Sequence, residues 1–180
     1  MLVSELLIIT GPPGAGKSTV ARSIVERFDH SALVQGDAFF GFVARGYIDP
    51  WLPESHEQNT VVTEATARAT AAFAKGGFTT VFDGMVGPWF LPTFLQITEV
   101  PRVHYAVLLP SAETCVARVL GRADHGFREE AATRDMHASF ASAAVDPPSV
   151  IDADPEVGVV VEEVLRRYET GMLAHPTEGG

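Results

Sequence analysis

The sequence predicts an α/β fold with a mainly parallel sheet. Three observations carry that reading. Apolar runs of strand length alternate with segments of helical period along the whole chain. The first run passes into its helix through a glycine-rich loop at residues 11–16. No repeat, long charge run or linker divides the 180 residues, so one domain with one core is expected.

The elements follow in order. Glu5–Thr10 (ELLIIT) reads as the first strand. After Lys17, the residues Ala21, Ile24, Val25 and Phe28 fall at i, i+3, i+4 and i+7 and predict a helix. Ser31–Gln35 is a short second strand, and Ala38–Ala44 reads as helical. Residues 45–54 (RGYIDPWLPE) form a loop with two prolines. A long helix spans Ser55 to Lys75, with Val62, Ala65, Ala69, Ala72 and Phe73 on one face, and Gly76-Gly77 ends it. Phe78–Phe82 is the third strand and Pro88–Ile97 a short helix with Pro92 near its start.

Val103–Leu109 is the fourth strand. Ser111 caps a helix whose stripe is Ala112, Cys115 or Val116, Val119 and Leu120. A loop (GRADHGFRE) follows, then a helix marked by Ala132, Met136, Phe140 and Ala143. Ser149–Asp152 is the fifth strand. Asp154-Pro155-Glu156 reads as a helix start: cap, first-turn proline, acid at the positive dipole end. Val157, Val160, Val161, Val164, Leu165 and Tyr168 give the last helix its face. The domain is expected to span residues 1–170, with a lid around 121–130 and a flexible tail at 171–180.

Composition narrows the function. Apolar residues make up 46% of the chain and none of their runs approaches membrane length. The first residues lack a basic region ahead of an apolar stretch, so no secretory signal is read there. Cys115 stands alone, which suits a reducing, cytoplasmic location. Its place on a helix stripe makes it a core residue. The net charge is −10 with a pI near 4.9, and no basic face is visible, which argues against nucleic acid as a partner. The histidines show no metal-ligand spacing.

The chemistry begins at GPPGAGKST. Gly11-x-x-x-x-Gly16-Lys17-Ser18 is a complete P-loop, between a strand and a helix as that motif requires. Its glycines let backbone N–H groups turn inward around phosphate. Gly11, Pro12, Pro13, Gly14, Ala15, Gly16, Lys17, Ser18 and Thr19 are therefore candidate ATP-binding residues. Lys17 brings a charge to the β- and γ-phosphates, Ser18 a hydroxyl for Mg²⁺, and the following helix its dipole.

Three further places carry candidates. Asp37 follows the second strand, where it either takes a proton from an acceptor hydroxyl or caps a helix. Asp83 follows the third strand and is a candidate Mg²⁺ ligand, acceptor contact or turn residue. Arg118, Arg122, Arg128 and Arg134 fall within 17 residues around the loop GRADHGFRE. Arginines on a lid bind phosphate and help exclude water. The alternative is surface ion pairing with Glu113, Glu129, Glu130 and Asp135, which suits Arg134.

The acceptor region, Gly36 to Pro101, holds only Arg45, Arg68 and Lys75 as lysines or arginines. It is rich in rings, among them Phe39, Phe40, Phe42, Tyr47, Trp51, Trp89, Phe90 and Phe94. Most of these are core, but the stretch FFGFVARGYIDPWLP is too loop-like to bury them all. A few rings beside Asp37, with Phe40 and Arg45 as candidate contacts, favour a neutral or cationic hydroxyl compound.

GPPGAGKST, the strand-end Gly36-Asp37, VFDG and the arginine-bearing lid together resemble the small P-loop kinases. These include gluconate and shikimate kinases, chloramphenicol phosphotransferase-like proteins and zeta-toxin-like kinases. The resemblance covers nearly the whole chain in order and length. It implies a P-loop NTPase three-layer sandwich, a five-stranded parallel sheet ordered 2-3-1-4-5 with helices on both faces. It implies ATP and Mg²⁺ at Lys17 and Ser18, and Asp37 as the catalytic base. Arg122 and Arg128 become lid arginines, and Arg118 a contact on the adenine or phosphate side. The expected function is a small-molecule kinase acting on a hydroxylated metabolite or antibiotic. A nucleotide-sugar kinase and a non-kinase ATP-dependent switch module are the alternatives. The arginine crowd that nucleoside monophosphate kinases carry after the second strand is missing.

Overall fold

The computed structural model describes residues 5–121 and 127–176. The elements in chain order are β1 (Glu5–Thr10), α1 (Lys17–Val25), β2 (Ser31–Gln35), α2 (Gly36–Phe40), α3 (His56–Lys75), β3 (Thr79–Asp83) and α4 (Leu91–Thr98). They continue with β4 (Arg102–Leu108), α5 (Ala112–Leu120), α6 (Glu130–Ser142), β5 (Val150–Ile151), α7 (Val157–Glu169) and β6 (Ala174–His175). Short 3₁₀ turns at Pro53–Ser55 and Pro147–Ser149 precede α3 and β5.

β2, β3, β1, β4 and β5 lie side by side in that order, and each pairing is parallel. This is the sheet order of the P-loop kinases. A sixth strand is added: β6 pairs antiparallel with β4, Val103 opposite His175 and His104 opposite Ala174. That strand falls in the stretch expected as a tail. It stays ordered because Leu173 is fully buried and its carbonyl accepts a hydrogen bond from the Tyr105 N–H at 2.9 Å. Residues 177–180 lie outside the described residues.

Strand alternation builds two cores. On β1, Leu7 and Ile9 face one side, with Ala21 and Ile24 of α1 and Val161 and Val164 of α7. Leu6 and Ile8 face the other, with Ala67 and Ala74 of α3, Phe94 of α4 and Phe140 of α6. Helices therefore cover both faces of the sheet, as parallel strands require.

The helix faces differ in places from the pattern. On α3 only Val62 of the expected face is buried; Ala65, Ala72 and Phe73 are exposed. The buried side carries Thr66, Ala67, Thr70, Ala71 and Ala74 instead. Thr66 and Thr70 enter the core because each hydroxyl donates to the carbonyl four residues earlier, at 2.6 and 2.8 Å. α2 is shorter than expected and starts at Gly36, directly at the end of β2. α7 begins at Val157 with Glu156 at its N-cap and no side-chain cap. Asp154 turns away to accept from the Ser111 N–H and hydroxyl, at 3.0 and 3.1 Å. Leu120 and Val157 end up exposed.

Candidate active site

The strands deliver their carboxyl ends to one edge. Ile9 of β1 and Gln35 of β2 both stand opposite Asp83 of β3. The P-loop leaves β1 at this edge and Asp37 leaves β2 beside it. In a parallel sheet this is the edge where ligands bind.

The loop's shape depends on its glycines. Gly14 has φ 80°, and a Cβ there would lie 2.3 Å from the Cys115 carbonyl oxygen. Gly11 has φ 145° and faces the Leu108 carbonyl equally closely, at 2.2 Å. The loop is thus seated on the end of β4 and the backbone of α5 at Cys115, in contacts no side chain could share. Gly16, at φ 93°, is the N-cap of α1 and supplies no side-chain hydrogen bond. The first turn of α1 holds no acid of its own.

Lys17 folds back over the loop. Its ammonium donates to the carbonyls of Gly11 at 3.0 Å and Pro12 at 2.9 Å. Ser18 and Thr19 are exposed on the first turn. The Ser18 hydroxyl hydrogen-bonds Asp83, which also receives a bond from Gln35. Asp83 is 5% exposed. Burial pushes its carboxyl above the ordinary range, and the Asp37 charge adds to that; the bonds from Ser18 and Gln35 and the Lys17 charge pull the other way.

A belt of hydrogen bonds fixes the loop after Asp83. The Gly84 N–H donates to the Ile9 carbonyl, and the Val86 N–H to the Thr10 hydroxyl at 3.0 Å. The Tyr105 hydroxyl donates to the Val86 carbonyl at 2.8 Å. Asp37 is exposed in the first turn of α2 and makes no cap; Gln35 occupies that position. The capping alternative for Asp37 is therefore set aside.

A cavity of about 390 Å³ opens on the other side of the P-loop. It is lined by Ala15, Gly16 and Thr19 of the P-loop and α1, by Pro155, Val157 and Val160 before and along α7, and by Arg118 of α5. The Arg118 guanidinium donates to the carbonyls of Gly14 at 3.4 Å and Ala153 at 3.1 Å, tying the loop to the segment after β5. Its planar group faces a largely apolar space of the size a nucleobase needs.

Between Gly36 and Pro101 the rings divide into two sets. Phe94 is fully buried, and Phe39 and Phe90 pack against the core. Phe42, Tyr47, Trp51 and Trp89 keep 78%, 47%, 36% and 50% of their surface exposed. Phe40 is half-buried and Arg45 exposed. Trp51 meets Phe127 edge to face, with centroids 4.7 Å apart.

Of the arginines, Arg134 pairs with Glu130 at 3.1 Å and Glu113 at 3.3 Å, the surface pairing expected for it. Arg128 is exposed beside Phe127. Arg122 lies outside the described residues. Cys115 is fully buried and its thiol is pushed up by that burial, as fits a core residue.

Sequence reasoning missed Gln35, whose strand-end position opposite Asp83 was the available signal. It also missed Gln58 and Asn59. The Gln58 side chain both accepts from the Ile48 N–H at 2.8 Å and donates to its carbonyl at 2.6 Å. Asn59 donates to the Pro50 carbonyl and the Ser55 hydroxyl, each at 2.8 Å. Together they hold the 45–54 loop on the start of α3.

No curated protein matches the sequence significantly. Solved structures share the fold. A sugar kinase from Janibacter sp. is 19% identical with a TM-score of 0.68, covering 96% of this chain and 99% of that one. The Deinococcus radiodurans tunicamycin resistance protein is 16% identical with a TM-score of 0.69, covering 97% and 99%. A Sinorhizobium meliloti gluconokinase is 14% identical with a TM-score of 0.68, covering 96% and 95%. At this identity they speak for the fold alone. The family model described as AAA domain matches residues 6–144, from the first strand through the P-loop, the 45–54 loop and α6. With the sheet order and P-loop geometry above, that match makes this chain a member of the AAA domain family, with a P-loop kinase-like fold.

Proposed function

We propose that this chain is a kinase that transfers the γ-phosphoryl of ATP to a hydroxyl of a small, neutral or cationic molecule. One observation supports this most directly: an exposed carboxylate, Asp37, stands beside the P-loop at the carboxyl edge, next to the exposed Ser18 and the buried Asp83. A switch ATPase has no need of an open carboxylate there; a kinase needs a base.

The residues fit the nucleotide. The P-loop is seated so tightly that Gly11 and Gly14 admit no Cβ, which leaves the loop's backbone N–H groups to line the phosphate site. The base belongs in the cavity beside Arg118. Mg²⁺ fits Ser18 and Asp83; among the described residues no group of three or more His, Cys, Asp or Glu could hold a metal alone, so phosphate oxygens complete the set. When bound, the ion neutralises charge on the β- and γ-phosphates.

The chain's residues then act as follows. Asp37 accepts the acceptor's hydroxyl proton as the new O–P bond forms. The bond from the γ-phosphorus to the β–γ bridging oxygen breaks, and ADP leaves. Lys17 moves from its loop carbonyls to the phosphates, where it balances developing charge. Arg128 and Arg122 supply further cations from the lid. Arg45 and Phe40 border the acceptor. The sugar kinase and gluconokinase among the solved neighbours support an alcohol acceptor. The chain's acidity argues against nucleic acid. A lone buried cysteine suits the cytoplasm, and no described helix is long and apolar enough to cross a membrane.

The test is acceptor-dependent ADP release over a panel of hydroxylated metabolites and antibiotics, with wild type and Lys17→Ala. Release is expected to rise with at least one neutral or aminated alcohol, and to fall by about a hundredfold or more in Lys17→Ala. An unchanged Lys17→Ala rate would overturn the kinase reading. AMP, CMP or a sugar phosphate as best acceptor would overturn the acceptor class.

A further inference from the structure

The acceptor loop and its flanks carry an excess of negative charge. Between Gly36 and Gln58 stand Asp37, Asp49, Glu54 and Glu57, against the single guanidinium of Arg45. Lys75 is spent on Glu99, at 3.1 Å, and Arg68 sits exposed further along α3. Even with Arg128, next to Phe127 and so near Trp51, counted as a second guanidinium, a phosphorylated or carboxylated acceptor entering here meets an excess of like charge, which disfavours it.

The rings in the same loop are placed, not loose. Gln58 grips both backbone groups of Ile48, and Ser55 and Asn59 grip the Pro50 carbonyl at 2.9 and 2.8 Å. Tyr47, Asp49 and Trp51 are the neighbours of these anchored residues. Tyr47 leaves 47% of its surface open, and its hydroxyl is pushed upward by burial first and then by the charges of Asp49 and Asp37. Trp51 is braced edge to face on Phe127. Tyr47 and Trp51 thus stand exposed in an anchored loop that also carries Asp49. Ring faces carry negative quadrupole density and attract organic cations, most strongly where carboxylates stand beside them.

From this arrangement we propose that the phosphoryl acceptor is an amino alcohol, its ammonium held by the Tyr47 and Trp51 rings and the Asp49 carboxylate while its hydroxyl meets Asp37. The inference rests on the kinase reading and narrows it to one substrate class. The transfer balances as before: the acceptor oxygen gains the phosphoryl, ADP departs, and the hydroxyl proton passes to Asp37. The ammonium keeps its protons and takes no part in bond making.

The experiment uses matched pairs: ethanolamine with N-acetylethanolamine, and phenylalaninol with N-acetylphenylalaninol. Each pair keeps the hydroxyl and removes only the charge. ADP release is measured with MgATP for wild type, Asp49→Asn, Tyr47→Phe and Tyr47→Leu, with a melting curve for each to establish folding. In at least one pair the amine is expected to exceed its acetyl partner in kcat/KM by about tenfold. Asp49→Asn and Tyr47→Leu lose that preference; Tyr47→Phe, which keeps the ring, retains it. Acetyl members used as well as the amines overturn the proposal while leaving the kinase reading intact. So does an anionic alcohol preferred to every amine in a Lys17-dependent reaction. If no alcohol of any charge raises ADP release, both readings fall together.

Discussion

The Ser18 hydroxyl, on the first turn of α1, hydrogen-bonds the carboxylate of Asp83 at the end of β3. The two come from segments 65 positions apart, brought together because β1 and β3 are adjacent and in register at Ile9 and Asp83. In the proposed enzyme this pair is where Mg²⁺ sits.

Asp83 therefore couples function to pH. Its folded pKa is raised above the ordinary carboxylate value, chiefly by burial. Between the two values the folded chain binds a proton that the unfolded chain has released, so this residue's contribution to stability falls as pH rises through that window. Asp83→Asn removes the buried charge. Its melting temperature at neutral pH is expected to exceed wild type, by roughly 2–4 °C for each kcal/mol recovered. MgATP affinity of wild type is expected to drop as pH falls through the raised pKa, and in Asp83→Asn to be weak at every pH. Calorimetric titration across pH checks both.

Asp37→Asn separates base from binder. The amide keeps the size but cannot take a proton, so transfer is expected to fall roughly 10²–10⁴-fold while ATP affinity stays near wild type. Rapid-mix turnover and nucleotide titration on the same sample test this. Parallel loss of both would assign Asp37 to the nucleotide site.

Two glycines of one loop are expected to fail differently. Gly14→Ala places a Cβ against the Cys115 backbone in a left-handed conformation. A melting curve is expected to show a loss beyond the roughly 1–3 kcal/mol of backbone strain alone. At Gly16 the nearest group to a Cβ is the Arg118 guanidinium at 3.8 Å, so Gly16→Ala bears only the strain. Its melting temperature should lie closer to wild type.

Gln58→Ala cuts the two bonds that hold Ile48. At about 0.5–1.5 kcal/mol each, their loss is expected to raise the acceptor KM by about tenfold with the ATP KM unchanged. Steady-state kinetics with each substrate varied in turn would show it. A change in the ATP KM instead would mean that the loop serves the nucleotide.

The site's nucleotide half was legible because its chemistry is written in adjacent residues. GPPGAGKST needs nothing from elsewhere to be read, and Asp37 and Asp83 sit at or just after the ends of short apolar runs that read as strands. Partners that come from distant segments leave no such mark. Trp51 and Phe127 meet across 76 positions, and the grip of Gln58 on Ile48 depends on a loop folding back onto a helix start. The buried side of α3 was misplaced because alanine ranks as more apolar than threonine. Only the back-bonded hydroxyls of Thr66 and Thr70 make that side burial-competent. Asp154 carries every mark of a cap, yet bonds Ser111 across 43 positions.

β6 leaves its own consequence. β5 pairs only with Val107 and Leu108 of β4, so the earlier half of that strand would present bare N–H and C=O groups to the outside. Ala174 and His175 cover that half at Val103 and His104, and Leu173 plugs the core beneath. Two strands of two residues thus share one margin of the sheet. Neither is long enough to recruit another chain, and together they deny a template to any strand that would add there. Clipping the chain after Glu169 would reopen that margin and expose apolar surface beside it, favouring edge-to-edge aggregation.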